Sequence, residues 1–141
     1  MTKYVHKVNY YETDKMGITH HSNYIRFMED ARMDYLSQVG FPMTRLESAG
    51  ITSPVVSVNC DYKHTTTYSD EIEIEVTVIG YTGVRLTLAY VMKNKATDVL
   101  VATATSVHCF INQDGKPIPL KKQFPELDSI LREPCNSLNP Q

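Results

Sequence analysis

SNYIRFMEDARMDYLSQVG, residues 22–40, decides how the rest of the chain is read. Tyr24, Phe27, Met28, Ala31, Tyr35 and Val39 recur at helical spacing on one face. Ile25, Met33 and Leu36 add apolar groups elsewhere around the cylinder. A helix apolar on more than one face is buried by its surroundings rather than laid on a surface. Ser22 or Asn23 offers an N-cap, and Gly40 followed by Pro42 stops the helix. The spacing predicts a helix from about Ser22 to Val39 that needs partners on several sides.

Working outward, the flanking segments supply those partners. Residues 3–11 are strand-like, carrying Tyr4, Val5, Val8, Tyr10 and Tyr11, and residues 12–20 form a polar loop around Gly17. Four more strands are expected over 55–65, 71–79, 84–92 and 99–111. In 71–79 Ile72, Ile74, Val76 and Val78 alternate with Glu71, Glu73 and Glu75, the pattern of a sheet with one buried and one solvated face. Links at Gly80–Gly83 and Lys93–Asp98 suit hairpins. A short helix is expected over 123–132, followed by a flexible tail over 133–141. The expected fold class is α+β, an antiparallel sheet packed on a long helix, with residues 1–132 as a single domain.

Composition narrows the function classes. A chain of 141 residues fits one domain and can bury roughly 68–70% of its unfolded surface. The net charge of −2 gives no general attraction to nucleic acid or membrane. No apolar run is long enough to span a bilayer, and the first residues hold no apolar signal-peptide core. Cys60, Cys109 and Cys135 are odd in number and widely spaced, which reads as reduced thiols and a cytoplasmic setting.

Many catalytic signatures are missing: no GxSxG elbow, no P-loop, no strand followed by GxGxxG, no HExxH. His6, His20, His21, His64 and His108 form no standard metal spacing, so no metal or other cofactor is expected. What remains is the approach to the helix. A helix start near His21 to Tyr24 carries unpaired N–H groups and a partial positive charge, able to hold a carbonyl oxygen as it becomes an oxyanion. Asp14 lies upstream across a loop that Gly17 allows to fold back. A carboxylate beside an oxyanion site can attack an acyl carbon or activate water. A thioester suits so small a machine, because its leaving thiol has a pKa of about 8–9 and needs little acid help.

These residues also match a known pattern. Tyr10-Tyr11-Glu12-Thr13-Asp14, Met16-Gly17-Ile18, His21, Asn23-Tyr24 and Phe27-Met28-Glu29-Asp30-Ala31-Arg32 resemble the start of the 4-hydroxybenzoyl-CoA thioesterase-like hotdog-fold family, in its small bacterial acyl-CoA thioester hydrolase branch. Asp61-Tyr62-Lys63, Tyr68-Ser69-Asp70, Thr103-Ala104-Thr105 and Gly115-Lys116-Pro117 resemble the remainder, so the likeness covers roughly residues 3–130. The resemblance implies a hotdog fold, a sheet wrapped around the helix. It places Asp14 at the family's nucleophile or general base, the His21 backbone N–H at the carbonyl-polarising donor, and Tyr10 and the His21 side chain at positions tied to catalysis or positioning. It implies a homodimer or homotetramer with sites between subunits, and acyl-CoA as substrate. Candidate substrate-binding residues are Gly17, Asn23, Tyr24, Lys63 and Arg85, the last two for nucleotide phosphates. His20 stands where the family favours an aromatic residue and Thr65 where it favours proline. The rival expectations are hydrolysis from acyl carrier protein and a non-catalytic acyl-CoA-binding module.

Simpler roles stand beside these. Asp14 before Lys15 can be a turn residue bonding its own backbone, His21 a helix cap, and Tyr10 an inward strand aromatic. Glu29 and Arg32, three apart, are expected as an ordinary helix ion pair.

Overall fold

A computed structural model describes residues 1–138. One sheet holds five strands: β1 (Tyr4–Lys7), β2 (Val55–Tyr62), β3 (Glu71–Tyr81), β4 (Arg85–Asn94) and β5 (Leu100–Cys109). The spatial order is β1-β3-β4-β5-β2, and every neighbouring pair is antiparallel. The helices are α1 (Asn23–Gln38), α2 (Met43–Ser48) and α3 (Pro125–Leu138).

The alternation seen in the sequence becomes one buried sheet face. Tyr4, Ile74, Met92, Ala102 and Tyr62 stand in register across all five strands. Ile74, Met92 and Ala102 in that row are fully buried. With Phe27, Met28, Ala31 and Tyr35 of α1 they belong to one contiguous core. On the opposite face Lys3 pairs with Glu73 and Glu75, and Lys95 with Glu71. Such solvated pairs contribute about 0–1 kcal/mol each.

The two edges of the sheet differ. β1 is short and runs beside α1. β2 pairs only with β5 and leaves its other edge open, with Val55 54%, Val56 47%, Val58 44% and Tyr62 49% exposed. Ile25 of α1 is exposed as well. The apolar residues placed around the helix are therefore only partly covered within one copy of the chain.

Several expected boundaries move, each for a physical reason. The strand expected over 3–11 ends at Lys7, because Tyr10–Glu12 forms a turn of 3-10 helix. The Glu12 carboxylate accepts the Asn9 backbone N–H at 2.8 Å and closes that turn. Tyr10 is accordingly 76% exposed rather than an inward strand aromatic. β2 stops at Tyr62 instead of residue 65, since the Lys63 and His64 N–H groups both turn to the Val101 carbonyl. α2 was not expected; Pro42 opens it, and the Arg45 guanidinium lies 4.3 Å from the Phe41 ring. α3 runs to Leu138 rather than 132, so the expected tail over 133–141 is helix through 138, and 139–141 lie outside the described residues.

Gly40 sits at φ +90°, the left-handed conformation that ends α1 as the sequence predicts. Phe27, fully buried at the helix–sheet contact, measures that contact. Phe27→Ala is expected to lower the unfolding free energy by about 3–5 kcal/mol, read from urea denaturation at unchanged m. A loss below 1 kcal/mol would show that the contact contributes little.

Candidate active site

The loop before α1 is built from backbone bonds that the sequence does not display. The Asp14 N–H donates to the Ile18 carbonyl and the Gly17 N–H to the Asp14 carbonyl, with Gly17 at φ +80°. A left-handed residue at that corner favours glycine. The Thr67 hydroxyl donates to the Gly17 carbonyl, and the Thr19 N–H to the Thr66 carbonyl, so the loop is tied to the segment after β2.

Glu12 fixes the base of the loop. Its side chain is nearly buried; one carboxylate oxygen takes the His6 ring Nε2 at 2.7 Å, the Asn9 N–H and the Asn9 side-chain amide. Its carbonyl accepts the His20 N–H and the Asn23 side-chain amide. Asn23 is thus spent on positioning the helix start rather than capping it. Ser22 occupies the cap position in a helical conformation and makes no capping bond; its hydroxyl meets the His20 ring instead. The expectation of a Ser22 or Asn23 cap is corrected by these two contacts, and the N–H groups at the start of α1 receive no side-chain acceptor from this pair.

Among the described residues no acceptor faces the His21 backbone N–H. The His21 carbonyl, by contrast, accepts the Tyr62 hydroxyl at 3.0 Å and the Tyr24 N–H. The His20 and His21 rings stack at 4.3 Å in the turn ahead of the helix. Beside them lies a cavity of about 430 Å³ whose wall includes Asp14, His21, Tyr24, Tyr62, Lys63 and His64. One Asp14 carboxylate oxygen accepts the Met16 N–H at 2.8 Å. That bond is the turn role expected for an aspartate, and it aims the carboxylate from within a rigid turn. Burial pushes the Tyr24 phenol pKa up while the Thr66 hydroxyl pulls it down, so at neutral pH the Tyr24 hydroxyl keeps its proton. Burial also raises the Cys60 thiol, which argues against Cys60 as a thiolate nucleophile.

Of the sequence-predicted residues, the fold brings Asp14, His21, Tyr24 and Lys63 to this cavity. Gly17 shapes its loop and Asn23 its helix start. Tyr10 points out on the surface turn, edge-on to Tyr68, and Arg85 opens β4 away from the cavity wall. Tyr62, although part of the recognised pattern, had no predicted role; its spacing in a strand gave no sign that its hydroxyl would reach His21.

A second polar cluster was missed entirely. Arg32 is 6% and His108 2% exposed. Arg32 Nη1 donates to His108 Nδ1. Arginine has no acceptor, so Nδ1 is the lone-pair nitrogen and His108 is neutral with its proton on Nε2. That nitrogen meets the Ser106 hydroxyl at 2.7 Å, which meets the Tyr90 hydroxyl at 2.7 Å. Glu29 stands 3.8 Å from Arg32 with 65% of its side chain exposed, so the expected ion pair is a minor partner of a buried guanidinium.

The fold is the hotdog, an antiparallel sheet wrapped around a central helix, and its solved neighbours include thioesterases. The chain belongs to the thioesterase-like superfamily, which it matches over residues 8–132. The DHNA-CoA thioesterase of Staphylococcus aureus superposes with a TM-score of 0.89 at 32% identity, covering 98% of this chain and 92% of that one. YneP of Bacillus subtilis, provisionally named an acyl-CoA thioesterase, is 32% identical over 120 residues, 85% of this chain and 87% of its own. The acyl-CoA thioesterase YbgC of Haemophilus influenzae is 27% identical over 119 residues, 83% and 86% of the two chains. No helix among the described residues is long and apolar enough to cross a membrane, and no trio of His, Cys, Asp or Glu among them is placed to hold a metal ion.

Two measurements probe these clusters. Glu12→Ala strands the part-buried Asn9 N–H and His6, and is expected to cost about 1–3 kcal/mol in urea denaturation; an unchanged midpoint would show that the turn closes without the carboxylate. Burial first, and the Arg32 charge second, lower the His108 pKa from 6.5 to about 4. The unfolded chain then binds this proton more readily, so the contribution is complete above pH 6.5 and is lost as pH falls toward about 4. Wild-type stability is expected to fall more steeply than that of His108→Gln across this window, and parallel curves would contradict it.

Proposed function

We propose that the protein hydrolyses acyl-CoA thioesters to the free acid and CoA. The observation that carries this reading is the shared wall of one cavity: Asp14 and His21, whose backbone N–H has no partner among the described residues, both border it. The thioester carbonyl oxygen would accept the His21 N–H at the positive end of α1. Asp14 acts as nucleophile or general base. As base it takes a proton from water while the oxygen adds to the acyl carbon; as nucleophile it forms an anhydride that water opens. In both cases the carbon–sulfur bond breaks and the thiolate of CoA leaves. Lys63 at the cavity wall offers a cation to the phosphates of the carrier. The names of the relatives support an acyl-CoA substrate, and the name of the staphylococcal neighbour brings an aromatic acyl group onto the list of substrates to try.

The open edge of β2 supports a homodimer. An unpaired strand with exposed valines and a tyrosine is a template for pairing with another strand. Two copies related by a two-fold axis would join their β2 edges antiparallel and cover the exposed Ile25 side of α1.

Thiol release from a panel of short, long and aromatic acyl-CoAs tests the activity. Asp14→Asn, folded by circular dichroism, is expected to lose at least about a hundredfold in kcat/KM; retained activity would remove Asp14 from the chemistry. Release from acyl carrier protein but from no acyl-CoA would reassign the carrier. Light scattering on a sizing column tests the edge: wild type is expected as a dimer or a multiple of it, and Val56→Asp as a smaller species. A monomeric wild type would exclude the β2 pairing.

A further inference from the structure

The Arg32 cluster has an open end. Arg32 Nε is a buried donor with no hydrogen-bond partner among the described residues. Nη1 is occupied by His108, so the guanidinium edge formed by Nε and Nη2 has only the solvent-exposed Glu29 near it. A buried Nε–H with no acceptor is costly. The cluster borders a cavity of about 130 Å³, walled by Ile25, Met28, Val55 and Val58 on its apolar side and by Arg32 and His108 on its polar side. The planar Nε–Nη2 edge of a guanidinium has the geometry that receives a carboxylate through two parallel bonds.

Position ties this cavity to the chemistry. Within one chain Arg32 lies nine residues beyond Asn23, about 14 Å along α1, out of reach of a short acyl group held at that helix start. Val55 and Val58, however, belong to the open β2 edge, and Tyr62 at the other end of that strand borders the Asp14 cavity. Antiparallel pairing of two β2 edges about their midpoint sets the Val55 end of one copy beside the Tyr62 end of the other. The small cavity of one subunit then continues the Asp14 cavity of its partner.

We propose that this cavity is the acyl pocket and selects short acyl groups ending in a carboxylate, which the Nε–Nη2 edge of Arg32 binds while Ile25, Met28, Val55 and Val58 pack on the methylenes. This specificity rests on the thioesterase and dimer readings above. Ser106 and Tyr90 extend the bond chain from His108 and keep the guanidinium in place. Glu29 competes for the same edge from solvent.

The test compares glutaryl-CoA with pentanoyl-CoA, which differ in the terminal carboxylate. Wild type is expected to favour glutaryl-CoA roughly tenfold to a hundredfold in kcat/KM, as one charged hydrogen-bonded pair allows. Arg32→Met should collapse that ratio, and Glu29→Gln, on the surface, should raise it. If Arg32→Met does not fold, Arg32→Lys keeps the charge without the planar edge and should lower the ratio. A wild type that favours pentanoyl-CoA or treats the two alike would overturn the proposal, as would a ratio unmoved by the Arg32 variants or lowered by Glu29→Gln. If wild type releases thiol from no acyl-CoA, the thioesterase reading fails by itself. Calorimetric titration of the same two compounds then decides the pocket: tighter glutaryl-CoA binding that Arg32→Met abolishes supports it, and equal binding overturns it.

Discussion

The buried carboxylate of Glu12 is the interaction on which the site depends. Its oxygen gathers His6 from the first strand and Asn9 from the turn, and its carbonyl gathers His20 and Asn23 from the approach to the helix. The end of β1, the turn at Tyr10–Glu12 and the approach to α1 are joined at one residue. The loop bearing Asp14 and the start of α1 bearing His21 inherit their relative positions from that junction. A charged group buried this far is tolerable because several donors meet it, and those same donors are what make its geometry rigid.

Below that junction the fold is ordinary packing. α1 lies in the concavity of the sheet, and the aligned row from Tyr4 through Ile74, Met92 and Ala102 to Tyr62 sets how the strands meet it. The β2 side is left bare. The polar cluster of Arg32, His108, Ser106 and Tyr90 sits toward that side, where a wholly apolar core would have been simpler to stabilise. Buried polar groups persist where shape or recognition demands them, and here they collect next to the open strand edge.

How much of this was legible in the sequence follows from the range of the forces. The helix over 22–39 and the four later strands are written in local periodicity, and they were read to within a few residues. The turn at Tyr10–Glu12 was hidden, because an aromatic-rich run of residues 4–11 mimics a strand until Glu12 folds back on Asn9. The missing N-cap was hidden too: serine and asparagine stood where caps stand, and the claims of His20 on Ser22 and of Glu12 on Asn23 drew them away. Asp14 was selected by a resemblance that the chain's family membership supports, since an isolated Thr-Asp pair carries no signal. The Arg32–His108 contact spans 76 positions, and no single-sequence pattern marks such a pair. The Glu29–Arg32 spacing pointed instead to the weaker of the two partners.

Tyr62 holds three offices at once. It closes the row across the sheet, stands at the open edge, and grips the His21 carbonyl with its hydroxyl. A peptide unit is rigid, so the orientation of one His21 carbonyl constrains the plane in which neighbouring backbone groups lie. Strand and helix start are thereby geared together through one phenol. A shift of the outer strand is therefore felt at the mouth of the helix through that bond.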